Sequence, residues 1–137
     1  MRTALDTNIL SALWSGEPLA SGIAADLAAA HAEGGLVVCA PVFAELLAHP
    51  SATPHFVEEF LAETGITVDF DLGEAVWRQS AKSFATYAER RRHSGGNSPK
   101  RLLVDFIIGA HALLRADRLM TLDAKRYSQD FPELRIV

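Results

Sequence analysis

Four acidic residues occupy settings in this sequence where buried or half-buried side chains are expected. Asp6 lies in the segment LDTNIL, and Glu45 lies in PVFAELLAH. Asp105 interrupts the apolar segment LLVDFIIGA, and Asp123 follows the segment RLMTL. An isolated carboxylate in an apolar environment is costly unless it is neutralised or paired. These four residues are therefore candidates for one shared site.

Carboxylates that share a cleft need a compensating cation. Two carboxylates about 5 Å apart repel each other by roughly 3 kcal/mol at an effective dielectric constant of about 20. Oxygen ligands alone favour Mg²⁺ or Mn²⁺. An ion held in this way can also bind phosphate oxygens and stabilise the charge that develops during phosphodiester hydrolysis. The pattern therefore predicts a divalent-metal site and favours a nuclease over a protein-binding module.

Each acid taken alone also has an ordinary structural explanation. Asp6 and Asp123 could cap the elements that follow them. Glu45 could point into water, and Asp105 could pair with a buried arginine. Taken together, however, the four acids weaken these separate explanations, because carboxylates that share one edge of the sheet need a cation.

The elements that would position these acids alternate between strands and helices. The predicted strands cover residues 2–6, 36–40, 66–70 and 118–122, with a possible fifth at 134–137. The predicted helices cover residues 8–14, 18–32, 72–92 and 102–116, with one more between Pro41 and Pro50 and one between Thr53 and Gly65. This order predicts an α/β fold in three layers, with a parallel sheet of about five strands between helices. Ligands of such sheets bind beyond the carboxyl ends of the strands, where three of the four acids are expected.

The helix predicted at 72–92 has two local signals. Asp71 and Glu74 have the spacing of a capping box. The apolar positions along this helix, which should face the core, are Trp77, Ala81, Phe84, Ala85 and Ala88. The helix predicted at 102–116 is apolar nearly all round, so we expect it to be central and buried.

Composition indicates one compact domain spanning residues 1–137, since the chain has 49% hydrophobic residues and no linker or repeat. Its longest apolar runs are too short to cross a bilayer, and an acid at position 6 argues against a leader. We therefore expect a cytoplasmic protein without a membrane partner. The single Cys39, in the run LVVCA, is expected in the core.

Charge is divided unevenly along the chain. Residues 1–77 contain one basic and eleven acidic residues, whereas residues 78–137 contain twelve basic and six acidic residues. The cluster that stands out is formed by Arg90, Arg91, Arg92, Lys100 and Arg101. It could be a solvated helix end, or it could bind RNA phosphates beside the acidic site.

The four acidic segments, taken in order, resemble the PIN-domain family, and especially the VapC-type toxins of bacterial toxin–antitoxin systems. The resemblance extends over essentially the whole chain, from LDTNIL through PVFAELLAH and LLVDFIIGAHALL to LMTLDAKRY. It implies a PIN fold and a Mg²⁺- or Mn²⁺-dependent endoribonuclease that cleaves cellular tRNA, rRNA or mRNA. It also implies a homodimer that is neutralised by a cognate VapB-like antitoxin.

The resemblance assigns roles to individual residues. The family's acidic positions, which bind metal and perform catalysis, correspond to Asp6, Glu45, Asp105 and Asp123. Asn8 and Thr121 correspond to the polar residues that support these ligands. The segment TLDAKRY departs from the commoner T-x-D-x-x-F, which leaves open whether Asp123 ligates metal directly. The region that would bind the antitoxin contains Trp14, Leu19, Ile23 and Leu27, which could equally be core residues.

Other interpretations of these residues remain. Glu45 and His49 have i, i+4 spacing, but the chain lacks an HExxH motif, so a zinc hydrolase is poorly supported. A receiver-type regulator would need a lysine near the end of a late strand, and Lys125 already follows the last acid. A non-catalytic PIN-like module that binds RNA or protein is the main alternative. His111 is expected to pack or hydrogen-bond in the core.

Overall fold

The computed structural model describes residues 1–95 and 101–137, and it has a parallel sheet flanked by helices, as predicted. The strands are β1 (Thr3–Leu5), β2 (Leu36–Cys39), β3 (Ile66–Asp69) and β4 (Arg118–Met120). The helices in this part of the chain are α1 (Thr7–Trp14), α2 (Ala20–Glu33), α3 (Ala40–Leu46), α4 (Pro54–Thr64), α5 (Gly73–His93), α6 (Leu103–Arg115) and α7 (Ala124–Asp130). The sequence did not predict α7.

Strand β1 is an inner strand of the sheet, and β4 pairs with it as an edge strand. The strand order is β3-β2-β1-β4, and every pairing is parallel. Leu5 is paired with Met120, so the residues that follow these two strands emerge at the same edge. This register positions the candidate site.

The prediction of a fifth strand at residues 134–137 is wrong, because the described sheet has four strands. Ile136 forms a single parallel bridge with Leu119 beyond β4. Leu134 belongs to a turn, because its N–H donates to the carbonyl of Phe131 at 3.0 Å. Only the last few residues are therefore extended enough to pair.

The core consists of the sheet and the helix that carries Asp105. All four residues of β2 are buried, and Cys39 is 1% exposed, which confirms its expected place. Helix α6 is buried continuously from Phe106 to Ala112, which confirms it as the central helix. None of the helices within residues 1–95 and 101–137 is both long and apolar enough to cross a membrane.

Helix α5 turns a different face to the core from the one predicted. Trp77 is 50% exposed, whereas Val76, Ser80, Ser83 and Tyr87 are buried. Serine can be buried here because the Ser80 hydroxyl donates to the Val76 carbonyl at 2.8 Å.

The capping box predicted at the start of α5 does not form. The Asp71 side chain accepts a hydrogen bond from the N–H of Gly73 at 3.1 Å. Glu74 pairs instead with Arg78, one turn later on the exposed face.

Candidate active site

Asp6 and Asp123 follow β1 and β4, and hydrogen bonds join the two strand ends. The Thr121 hydroxyl donates to Asp6 Oδ2 at 2.8 Å and accepts the N–H of Asp123 at 3.0 Å. Asn8 Nδ2 lies 3.4 Å from the same hydroxyl, and Asn8 Oδ1 accepts the N–H of Leu122 at 3.2 Å. Asn8 and Thr121 thus fix both Asp6 and the backbone that carries Asp123.

Neither of these two acids acts as a cap. Asp6 and Asp123 occupy the N-cap positions of α1 and α7, but neither side chain accepts a capping hydrogen bond. The capping explanation therefore does not account for these carboxylates.

Asp6 is held in an environment that opposes its charge. It is 6% exposed, and burial raises its pKa above the ordinary value, an effect to which the Asp105 carboxylate adds. The hydroxyls of Thr121 and Tyr127 act in the opposite direction. A positive charge at this site would therefore be strongly stabilised.

Glu45 reaches the same edge from α3 but remains exposed. Its Oε1 accepts a hydrogen bond from the Thr7 hydroxyl at 2.6 Å, which ties it to the start of α1. Burial raises the pKa of the Cys39 thiol to about 11, and the charges of Asp6 and Glu45 add to this effect. Cys39 therefore lies within the field of both carboxylates.

Asp105 and Asp123 share an arginine as their counter-ion. Arg126 Nη1 lies 3.1 Å from Asp123 Oδ2 and 3.7 Å from Asp105 Oδ2. Arg101 Nε lies 3.6 Å from the same oxygen of Asp105. The cation that the sequence requires for this cluster is thus supplied, in this arrangement, by the protein itself.

The carboxylate oxygens of this site suit a hard divalent ion, but the distances between them limit how many can bind one ion directly. No three His, Cys, Asp or Glu side chains among the described residues are close enough together to hold a metal ion. Mg²⁺ is usually bound through one or two carboxylates while it retains several waters. Asp6 and Asp105, whose charges interact, could therefore hold such an ion, and Asp123 and Glu45 flank them.

Arg101, expected to contact RNA, is a buried structural cation. Its side chain is 7% exposed, and its guanidinium contacts Asp130, whose side chain is 1% exposed. It also lies 4.8 Å from the ring centroid of Phe106 and 5.6 Å from that of Tyr127. Burial lowers its pKa, which the nearby Asp105 opposes. Arg90 donates to the other oxygen of Asp130 at 2.7 Å.

Arg90 and Arg91, two of the other expected RNA contacts, line a basic cavity. This cavity, about 360 Å³ in volume, is lined by Tyr87, Arg90, Arg91, Ser94, Arg101, Arg126 and Gln129. Arg92 is exposed at the end of α5, and Lys100 lies outside the described residues. RNA binding by these residues stays a prediction.

Sequence reasoning missed three residues that shape the site, namely Arg126, Tyr127 and Asp130. The Asp123–Arg126 pair has i, i+3 spacing, so recognition of α7 would have revealed it. Tyr127 is 1% exposed, and its hydroxyl acts on the Asp6 carboxylate. No sequence signal indicates the burial of Asp130.

His111 lies in the core, and His49 lines a cavity together with Thr7 and Glu45. His111 is buried, and its Nε2 lies 3.1 Å from Asp69 Oδ2, which confirms its expected place in the core. His49 Nε2 lies 2.9 Å from the Ser15 hydroxyl, and its Nδ1 accepts the N–H of Ser51 at 3.1 Å.

The residues expected at an antitoxin interface divide between core and surface. Ile23 and Leu27 are buried, whereas Leu19 is 56% exposed. Trp14 is half-buried and packs edge-on against Phe56 and Phe60. Leu27 also lines a largely apolar cavity of about 310 Å³ between α2 and α4.

Residues 3–131 match the family model of the PIN domain. Among solved structures, similar chains come from VapBC-1 of nontypeable Haemophilus influenzae and VapBC2 of Rickettsia felis. The first is 24% identical with a TM-score of 0.65, and the match covers 100% of this chain and 97% of that one. The second is 18% identical with a TM-score of 0.66, and the match covers 100% and 98%. A toxin–antitoxin complex from Klebsiella pneumoniae contains a chain that is 22% identical, with a TM-score of 0.61 and coverage of 98% and 95%. No curated protein gives a significant match.

Proposed function

This chain belongs to the PIN domain family, and we propose that it is a Mg²⁺- or Mn²⁺-dependent endoribonuclease, a VapC-like toxin of the cytoplasm. The observation that carries the proposal is the buried carboxylate of Asp6, hydrogen-bonded to Thr121 at the strand edge where Asp105 and Asp123 also lie. A carboxylate kept in an environment that opposes its charge is typical of a functional site.

The residues divide into ligands and supports. Asp6 and Asp105 would hold the ion, with Asp123 and Glu45 beside them or reached through water. Asn8 and Thr121 orient Asp6 and the Asp123 backbone, as partners of metal ligands commonly do. When bound, the ion would activate water and stabilise the charge of a phosphodiester under attack.

The substrate we propose is an unpaired segment of cellular tRNA, rRNA or mRNA. Arg90, Arg91 and Arg92 at the end of α5 would contact its phosphates, which accommodates an RNA substrate despite the net charge of −4. Unpaired RNA also exposes base edges and backbone to an open site.

The partner we propose is a cognate VapB-like antitoxin, bound to a homodimer of this chain. Support comes from the similar chains, which belong to VapBC and toxin–antitoxin complexes. The apolar cavity beside Leu27 is a candidate contact surface. Co-expression with a small antitoxin reading frame found beside its gene should relieve growth inhibition and give a complex that copurifies with this chain.

A non-catalytic module that binds RNA or protein is the second candidate. The ion pairs of Arg101 and Arg126 favour it, because they already neutralise Asp105 and Asp123. The two candidate functions differ in whether divalent ions lead to RNA cleavage.

The test incubates the purified chain with an unstructured RNA and with a folded tRNA, in Mg²⁺, Mn²⁺ or EDTA. We expect cleavage with either ion and none in EDTA. RNA binding without cleavage under all conditions would favour the binding module. Cleavage that persists in EDTA would contradict metal-dependent catalysis.

A further inference from the structure

We propose that Arg126 is a resident counter-ion that competes with the divalent ion for Asp105 and Asp123, and so sets the metal affinity of the site. The proposal rests on the proposed function for the identity of the competing ion. Its basis is geometric, since one guanidinium nitrogen lies within 4 Å of carboxylate oxygens from both acids. An ion bound to either carboxylate would meet this positive charge directly.

Arg126 differs from the other arginine of the cluster in its freedom to leave. The Arg101 side chain is 7% exposed and is held by Asp130 and three aromatic rings. The Arg126 side chain is 47% exposed and pairs only with Asp105 and Asp123 within the described part of the chain. A surface ion pair of this kind contributes little free energy, so a doubly charged ion can displace it.

A displaced Arg126 side chain has space to occupy. The side chain is 47% exposed, so it can turn outward into water rather than into the cavity that Arg90, Arg91 and Arg101 line. Turning outward would carry the guanidinium away from the two carboxylates while it remains in contact with water. Metal binding and the position of Arg126 are thereby linked.

The neighbouring Lys125 supplies a matched control. It lies on the same helix, is exposed, and forms no ion pair with any carboxylate that the structure describes. Lys125→Gln and Arg126→Gln each remove one positive charge at adjacent positions. A difference between them therefore reports the direct contact rather than net charge.

The first measurement is isothermal titration of Mn²⁺ into the wild-type chain and these two variants, without RNA. We expect Arg126→Gln to bind Mn²⁺ about tenfold more tightly than the wild type, which corresponds to the loss of two weak ion pairs. Lys125→Gln should change the affinity by less than about twofold, because an exposed charge is screened by salt.

The second measurement is thermal unfolding in EDTA, where Arg126 is the cation that bridges Asp105 and Asp123. Arg126→Gln should unfold roughly 2–5 °C below Lys125→Gln. Replacing Asp105 by Asn in the Arg126→Gln background should remove that difference, since the repulsion disappears.

The outcomes separate the inference from the proposed function. If the wild type binds Mn²⁺ and Arg126→Gln binds no more tightly than Lys125→Gln, the competition is refuted and the metal site stands. If neither the wild type nor the variants bind Mn²⁺, the proposed function fails. In that case equal unfolding temperatures of the two variants in EDTA would refute the counter-ion role as well.

Discussion

Replacement of Asp130 by Asn should destabilise this protein far more than the loss of an ordinary surface ion pair. The Asp130 side chain is 1% exposed and forms ion pairs with Arg90 and Arg101. The Arg101 side chain is itself only 7% exposed. The substitution keeps the shape of the side chain and removes its charge. Arg101 would then remain buried without its principal partner.

The magnitude follows from the burial of the partner that is left behind. Breaking a buried pair by removing one side costs about 3–5 kcal/mol. The low end applies, because Asp105 lies 3.6 Å from Arg101 Nε and offers partial compensation. A loss of about 3 kcal/mol is a large part of the 5–15 kcal/mol typical of a domain.

Urea denaturation followed by circular dichroism measures this loss. With a slope of about 2 kcal/mol per M, the midpoint should fall by roughly 1.5 M. The control is Glu74→Gln, which breaks an ion pair whose side chains are 78% and 77% exposed. This control should lose less than about 1 kcal/mol.

A double variant tests the cause of the loss. Replacing Arg101 by Met and Asp130 by Leu together should recover most of the stability, because no buried charge is left without a partner. A midpoint for Asp130→Asn no lower than that of Glu74→Gln, with equal slopes, would refute the reasoning.

Three further predictions concern His111 and two glycines. Burial lowers the pKa of His111, so the unfolded chain binds the proton more readily and stability should fall as the pH decreases from about 6.5 to 5. In His111→Gln, the urea midpoint should change less with pH over that range. A midpoint that depends on pH as strongly as that of the wild type would contradict this assignment. Gly109→Ala should cost about 1–3 kcal/mol, measured by urea denaturation, because the added Cβ would lie 2.2 Å from a ring carbon of Phe131. Gly22→Ala in α2, where a Cβ meets nothing within 4 Å, should instead gain up to about 1 kcal/mol, and a loss there would show that the helix tolerates no side chain at this position.

The sequence predicted best where local chemistry decides the structure. Helix α4 begins after Thr53, whose hydroxyl accepts the N–H of Phe56 at 3.1 Å, and ends at Gly65 with φ of 68°. Both signals depend on residues a few positions apart. The same applies to β2, where a continuous apolar run marks a strand that is covered on both faces.

The sequence failed where packing decides which face of an element is buried. Helix α5 buries Ser80 and Ser83, because their hydroxyls are hydrogen-bonded within the helix. The larger Trp77 remains half-exposed. A hydrophobicity pattern cannot anticipate this choice, since it depends on which side chains fit against α6.

The candidate site was predictable only in part, because tertiary packing positions some of its residues. Asp6 and Asp123 lie at the same edge because β1 and β4 are parallel neighbours. The alternation of elements predicts the parallel sheet, but it does not predict that these two strands are adjacent. The role of Arg126 depends on how α7 returns across Asp105, a tertiary arrangement between residues far apart in the chain. The buried pair of Arg101 and Asp130 is likewise invisible in a sequence where both residues look exposed.

The most direct test of the central claim is the rate of RNA cleavage in Mn²⁺ by the Asp105→Asn variant. Asp105 is 24% exposed at its side chain, so its replacement should leave the fold intact, as circular dichroism can check. The control is Asp26→Asn, which changes an exposed acid on α2. We predict that Asp105→Asn loses at least about a hundredfold in rate while Asp26→Asn cleaves like the wild type. Equal cleavage rates for the two variants would contradict the proposed site.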